Sequence, residues 1–598
     1  MALRGGQVGL PILTASICAR MRRRTPGWAL AGLFGLTTGL APAAQAQTAS
    51  STTLDVGSEG VLRQEQRQEA HRLLAAPPEH LRPATATSTL TTLPHQAPCF
   101  WIDTIRFSGA HAQRLNWLAQ DVQPVLGQCV GTQGLATIAR VLDDHLISLG
   151  YITSRVSFPP QNLASGLLDI HLDVGTVASV RMVRADSGQP DTDWGTWRNA
   201  FPSGPGEILN IRDLEQGIEH MGRLPSQSVH TLLEPGPAPN SSIIVLQRQS
   251  ASLAQRLHGG LSLDNSGSQY LGRSQLSGAL SLDGPLGLND ILSLTASSNV
   301  EHPASSHRTQ SLGLSYSIPW GYNTFTLSGS TVRYAQLVQG TTAQFLSSGT
   351  SQTARLQWDR TIWRTASSKF GVFGAVFIRK ASGYLDDVEL LVQRRATTNV
   401  DMGASIKSLL SSGGLVSAQF DYRHGIGSFG AQDDWPTASQ GGLTLRPQIW
   451  GLNLSLRQPI KVGAQPWVYS ATFHGQSTPD TLVSEDQISV GDRYSVRGFD
   501  GNAVLLAESG YFLRNDLSRP VALFPGWSTA AYVGLDFGRV WGPSAANLVG
   551  AKLAGAVIGL RGQTGRLQFD AGLGTPVVRP AGFATKHLNL YLSVTAGF

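Results

Sequence analysis

From about Arg256 to Phe598 the chain alternates apolar residues with small or polar ones, in segments of roughly ten broken by Gly, Asn, Asp and Pro turns. A period of two places alternate side chains on opposite faces of an extended strand. Clear cases are Leu257 to Leu263, Leu276 to Leu282, Ile291 to Ala296, Phe325 to Val332, Phe370 to Ile378, Leu415 to Tyr422, Leu452 to Leu456, Ala530 to Val540 and Leu567 to Leu573. In the last segment Leu588, Leu590, Leu592, Val594, Ala596 and Phe598 fall on one side. His587, Asn589, Tyr591, Ser593, Thr595 and Gly597 fall on the other. About sixteen such segments fit into about 340 residues, roughly twenty-one per strand plus turn, which is the spacing of a transmembrane β-barrel. A soluble β-sandwich would need an opposing sheet to bury the same apolar face; an apolar-out strand ending in Phe598 suits lipid.

A barrel of this kind requires export. Arg20, Arg22, Arg23 and Arg24 precede the apolar run Trp28 to Leu40, and Ala44-Gln45-Ala46 offers a small-x-small cleavage site, so residues 1–46 read as a secretory leader. Met21 to Ala46 is a complete leader by itself, which leaves Met1 and Met21 as alternative starts. The apolar run is too short for a membrane anchor. Five of the 46 basic residues lie in the leader and no acid does, so 41 basic residues face 40 acidic ones in the mature chain. The basic balance therefore implies no nucleic-acid partner. Beyond the leader no apolar run is long enough for a membrane helix, and only a closed barrel then satisfies every backbone group in lipid. Cys18 leaves with the leader. Cys99 and Cys129 remain, and a lone pair in an oxidising compartment reads as one disulfide worth about 3 to 4 kcal/mol.

Ahead of the barrel the chain divides further. Residues 47–76 hold a stretch, Glu59 to Leu74, rich in helix formers and poor in apolar residues, which predicts a polar helix. Residues 77–98 are a Pro- and Thr-rich linker. Residues 99–175 read as a small α/β unit: a strand over Phe100 to Phe107, a helix with Leu135, Ile138, Leu142, Leu146 and Leu149 on one face, then strands over Tyr151 to Phe158 and Gly166 to Val174. Residues 176–252 repeat that plan, with strands at Val177 to Val183 and Ser242 to Leu246 and a helix over Ile211 to Met221. One undivided α/β domain is the alternative. Residues 253–598 form the barrel.

Within the barrel one turn stands out. Gly491-Asp492-Arg493-Tyr494-Ser495 leads into Val496-Arg497-Gly498-Phe499, and Gly534-Leu535-Asp536-Phe537-Gly538 follows some forty residues later. An Arg between such turns, with a carboxylate on an alternating strand, suggests an ion pair pinning a loop inside something hollow. Alone, the turn would read as a solvated hairpin.

Together these parts resemble the outer-membrane transporters of two-partner secretion, the hemolysin-activator and filamentous-hemagglutinin transporter family within the barrel assembly factor superfamily. The resemblance covers essentially the whole mature chain. It rests on Pro98-Cys99-Phe100 with Gln128-Cys129, on Gly150 to Val156 leading to Pro159-Pro160-Gln161-Asn162-Leu163, on Leu209 to Gln216, and on Val496 to Phe499 with Asp536 to Gly538. Two departures are small: Phe499 stands where Tyr also occurs in the family, and Asp516, in Gly510-Tyr511-Phe512-Leu513-Arg514-Asn515-Asp516, stands where Glu is usual.

The resemblance implies a translocator in the outer membrane with periplasmic modules, no cofactor and no enzymatic activity. The modules would be polypeptide-transport-associated domains, and the polar helix would plug the pore. The partner would be a large exoprotein, whether hemolysin, adhesin or contact-dependent toxin, arriving unfolded and adding as a strand to a module's sheet. Phe598 would be the signal by which the barrel assembly machinery inserts a monomeric barrel. Arg497 would pair bidentately with Asp536. A barrel assembly factor shares the Arg loop but has more modules, and a passive porin needs none. A hydrolase would need His474, His424 or Asp433 to meet a nucleophile, and no such setting, metal motif or phosphate loop is present.

Overall fold

The computed structural model describes residues 81–82, 90, 92–250, 252–301, 306–340 and 343–598. The expected leader and polar helix, and most of the expected linker, lie outside the described residues.

The first module comprises strands β1 (Phe100–Trp101), β2 (Thr104–Ser108) and β3 (Cys129–Val130), helix α1 (Thr132–Ser148), then β4 (Arg155–Ser157) and β5 (Leu167–Asp173). β2 pairs parallel with β5, and β4 pairs antiparallel with its other edge. The apolar stripe of α1 supplies Ile138, Leu142 and Leu146, and alternation along β5 supplies Leu168, Ile170 and Leu172; all six are essentially inaccessible. Each such side chain contributes roughly 1.5–3 kcal/mol by leaving water.

Two expectations need correcting here. Phe100 to Phe107 is two strands, because Phe100 and Trp101 pair with Val130 and Cys129 while Thr104 to Ser108 pair with β5. Tyr151 to Ser154 is not strand either. The helix terminates through hydrogen bonds from Gly150 N to Ile147 O and from Tyr151 N to Leu146 O, with Gly150 left-handed (φ 102°), and the strand starts only at Arg155.

Cys99 and Cys129 form a disulfide across the β1–β3 pair, with 30 residues of sequence separation. Replacing both by Ser removes a constraint worth about 3–4 kcal/mol in the chain-entropy view. The module's calorimetric transition in the purified chain should fall by more than about 10 °C. An unchanged midpoint would mean that the core alone sets its stability.

The second module comprises β6 (Thr176–Arg184), α2 (Ile211–Gly222), β7 (Gln227–Pro235) and β8 (Ser241–Ser250), with sheet order β6-β8-β7. β7 was not expected: its exposed Leu232 and Leu233 and its Pro235 blur the alternation by which strands are recognised. Asn210 caps α2, its side chain accepting from Arg212 N at 2.8 Å. The same Asn210 donates to Leu149 O, and Ile211 N donates to Gly150 O, so the Gly150 and Leu209 motifs meet where the two modules join.

The barrel is closed by β9 (Leu257–Asp264), β10 (Gln275–Asp283), β11 (Ile291–Asn299), β12 (His307–Trp320), β13 (Asn323–Gln339), β14 (Gln344–Arg364), β15 (Ser368–Leu385) and β16 (Arg395–Leu409). It continues with β17 (Leu415–Ile426), β18 (Gln448–Val462), β19 (Gln465–Ser477), β20 (Ser509–Val521), β21 (Ser528–Trp541), β22 (Lys552–Thr564), β23 (Leu567–Val578) and β24 (Asn589–Gly597). Every neighbouring pair is antiparallel, β24 returns to β9, and these are the sixteen staves; Val388–Glu389 adds a two-residue strand at one rim. Turns on the module side are short, such as Gly321-Tyr322 and Gly463-Ala464, and the far side carries long loops. On β24, Leu590, Leu592 and Val594 are exposed, as is Phe598 beyond it, while Asn589 and Tyr591 are buried within, the outward apolar band that lipid requires.

Candidate functional site: a loop anchored inside the barrel

The chain between β19 and β20 folds inward as a small hairpin, Ile488–Val490 against Leu505–Ala507. Its tip is shaped by Asp492, whose Oδ1 accepts from the backbone N–H of Tyr494 and Ser495 and from the Ser495 hydroxyl, all at 2.8 Å. Val496 and Phe499 are wholly buried in a cluster with Ile488, Val490, Val540 and Leu553, and Phe499 meets Phe583 edge-to-face at 5.6 Å.

Arg497 is thereby aimed at the wall. Its Nε donates to Asp536 Oδ2 at 2.7 Å and Nη2 to Asp536 Oδ1 at 2.8 Å, the bidentate pairing expected for a guanidinium and a carboxylate. Its backbone N–H also donates to Asp536 Oδ2, at 3.0 Å. Asp536 is completely inaccessible. A second carboxylate, Asp516 on β20, lies 2.7 Å from Nη2 and in turn holds Arg561 at 3.1 Å. The ladder between β20 and β21 is interrupted at Arg514 and Asn515. There the Asn515 N–H goes to Asp536 Oδ1 at 3.1 Å, and the Asn515 side chain bonds Leu535 O at 2.8 Å. The sheet gives up ladder bonds and the site satisfies the freed groups.

Close approach requires missing side chains. A Cβ on Gly538 would lie 2.4 Å from Val490 and one on Gly555 would lie 1.8 Å from Arg497 O, so both must be Gly for the tip to seat. Gly498 is left-handed (φ 107°); its N–H bonds the Tyr591 hydroxyl at 2.7 Å and its carbonyl accepts from Asn589 at 2.7 Å. Gly538 is therefore steric seat rather than chemistry. Asp516, Gly555, Tyr591 and Asn589 went unrecognised as neighbours of Arg497; only Asp516 carried a signal, its place in the Gly510 to Asp516 motif. His474 bonds Asn453 at 2.6 Å, His424 stacks on Tyr422 and Asp433 reaches Arg446 at 3.7 Å, each a local contact.

At the opposite, module-side rim α2 is welded to the barrel. Glu219 takes a bidentate pair from Arg364, at 2.7 Å on each oxygen, and a third bond from Lys369 at 3.0 Å. Arg364 Nε lies 3.5 Å from Glu215, which also holds Arg212 at 2.8 Å. His220 Nε2 donates to Gly321 O at 2.7 Å, and burial pushes its pKa down to about 4, so the imidazole is neutral. Asn199 bonds Leu288 O and Pro319 O, and Tyr322 bonds Asp213. Turns β10–β11, β12–β13 and β14–β15 thus all grip the second module.

A closed outer-membrane barrel, fed from its short-turn side by two α/β modules and crossed by an Arg-anchored loop, defines a protein transporter. Residues 240–562 match the family described as haemolysin secretion/activation protein ShlB/FhaC/HecB, residues 100–175 match the POTRA domain of ShlB type, and residues 179–235 match a POTRA domain. The outer membrane transporter CdiB-2 of Burkholderia pseudomallei is 35% identical over 85% of this chain and 88% of its own. The hemolysin transporter protein HpmB of Proteus mirabilis is 27% identical over 72% and 75%. The solved structure of CdiB from Escherichia coli superposes with a TM-score of 0.78 at 27% identity, covering 91% of this chain and 99% of that one. The chain belongs to the haemolysin secretion/activation family of two-partner secretion, whose members are outer-membrane transporters and not enzymes.

Proposed function

We propose that the chain exports one large exoprotein as an unfolded polypeptide. The exoprotein is taken up in the periplasm by strand addition to the exposed edges of the two modules, where backbone hydrogen bonds give affinity and side-chain pockets give selectivity. It then threads past the pinned loop and folds outside, and that folding supplies direction without a nucleotide. The single observation supporting this reading is the bidentate Arg497–Asp536 anchor inside a closed barrel. Val496, Arg497, Gly498 and Phe499 form the secretion loop, with Asp536 and Gly538 as its seat. Phe598, at the end of the lipid-facing strand, directs insertion by the barrel assembly machinery, and the transporter works as a monomer.

The experiment is deletion of this gene followed by analysis of the culture medium and the outer membrane. One large protein should vanish from the medium while other outer-membrane barrels stay at their usual level. A general fall in outer-membrane barrels would instead indicate an assembly factor. Removal of residues 99–252 from the chromosomal copy should reproduce the secretion defect.

A further inference from the structure

The loop touches the barrel at a second place that the Arg497 anchor does not involve. Between β19 and the hairpin lies a short turn, Ser484–Asp486. Gln476 on β19 donates to Asp486 O at 2.8 Å, which ties the turn to its own strand. The Asp486 carboxylate points the other way: Oδ1 accepts from Arg379 Nη1 at 3.1 Å and lies 3.9 Å from Arg423. Arg379 Nη1 also reaches the carbonyl of Glu485 at 3.5 Å. Arg379 belongs to β15 and Arg423 to β17, and both guanidinium groups lie over the Phe377 ring, at 5.1 Å and 5.6 Å. Asp401 on β16 holds Arg423 at 2.9 Å and also pairs with Arg355, which fixes Arg423 from its far side. Asp486 and Arg379 are 4% and 5% exposed, so this is an enclosed pair rather than a surface one.

Strand order gives the pair its meaning. The tip of the loop is fixed on β20 and β21, and β15 is six strand-to-strand steps from β21 around a sixteen-stave barrel, more than a third of the circumference. A loop anchored only at its tip could swing about that anchor. Anchored at Asp486 as well, it becomes a bar held at both ends across the lumen. An ion pair held in this way, desolvated and hydrogen-bonded, resists displacement far better than an exposed one.

We propose that Asp486 is a second positioning residue of the secretion loop, holding the loop's stalk to Arg379 and Arg423 on the wall away from the Arg497 anchor, and that this hold is required for export. The proposal rests on the reading of the chain as an exporter. The test keeps the two separable, because the position of the stalk is measured without an exoprotein. Nitroxide labels at Ser484→Cys and Lys380→Cys, on the turn and on the outer face of β15, report the span by pulsed electron resonance in nanodiscs. Cys99 and Cys129 are joined and do not label. The unmodified loop should give one narrow distance. Asp486→Ala should broaden it and lower export by roughly tenfold or more, while the barrel stays heat-modifiable on gels; Asp486→Glu, which keeps the charge, should restore both. Isosteric Asp486→Asn covers the case in which the Ala variant fails to insert. A narrow distance in these variants overturns the proposal, and a broadened distance with full export overturns its functional half. If the unmodified chain exports nothing, the exporter reading fails while the distances still decide the tether.

Discussion

Replacing Arg497 by Ala leaves a folded barrel in the outer membrane and brings export of the exoprotein down to background. The reason is the charge left behind. Asp536 has no access to solvent and Asp516 little, and both face Arg497 within hydrogen-bond distance. Removing the cation from such a site costs roughly 3–5 kcal/mol, because Asp536 is left buried without its ion-pair partner while Asp516 keeps only Arg561. That cost falls on the seated loop and not on the barrel, whose staves close through backbone ladders independent of the tip. A penalty of about 3 kcal/mol shifts the seated–unseated balance by roughly 100-fold. The measurement is the exoprotein in the medium against the heat-modifiable barrel in membrane fractions. Normal export by Arg497→Ala would remove the anchoring role.

The substitution series sharpens the expectation. Arg497→Lys should restore little, since an ammonium cannot reproduce two parallel bonds to Asp536. Asp536→Asn should approach the Ala variant, because Asp536 also accepts the backbone N–H groups of Arg497 and Asn515. Asp516→Asn should be milder, as Asp516 is partly exposed and shared with Arg561.

Much of this site was legible in the sequence, for physical reasons. Alternation with a period of two is imposed by lipid on one face of every stave, so the barrel declares itself. An Arg among turn-forming residues marks a candidate anchor, but Asp500, Glu508 and Asp516 also lie between it and Asp536, so Asp536 is singled out by the Asp536 to Gly538 motif rather than by charge pattern. Asp516 was visible as a motif position but not as a partner, since its approach to Arg497 depends on β20 lying beside β21 and on an interrupted ladder that no local pattern encodes. Gly555 was hidden among 66 Gly, most of which serve turns or strand packing. The grip of the second module on the rim was illegible altogether. Glu219 and Arg364 are 145 residues apart, and each reads locally as an ordinary solvated charge.

That grip yields the second large effect. Glu219→Ala should uncouple the second module from the barrel and abolish export while both parts remain folded. Arg364 is only 1% exposed, and without Glu219 its nearest carboxylate among the described residues is Glu215, at 3.5 Å from Nε and already engaged by Arg212. The expected penalty is therefore at the lower end for a broken buried pair, about 3 kcal/mol. Amide exchange of the Gly321-Tyr322 turn and of α2 should accelerate by roughly 100-fold, since His220 and Tyr322 lose the packing that holds them against each other's elements. Arg114→Ala is the natural control: its pair with Glu207 spans 3.0 Å, but both side chains are more than half exposed, and such pairs contribute at most about 1 kcal/mol. It should leave exchange at the rim and export unchanged. Unaltered exchange in Glu219→Ala would mean that the bonds donated by the Asn199 and Trp194 side chains to the carbonyls of Gly284, Leu288 and Pro319 suffice to seat the module. A module free to rotate presents its edge strands in many directions relative to the pore, so a captured strand would no longer be delivered to the lumen.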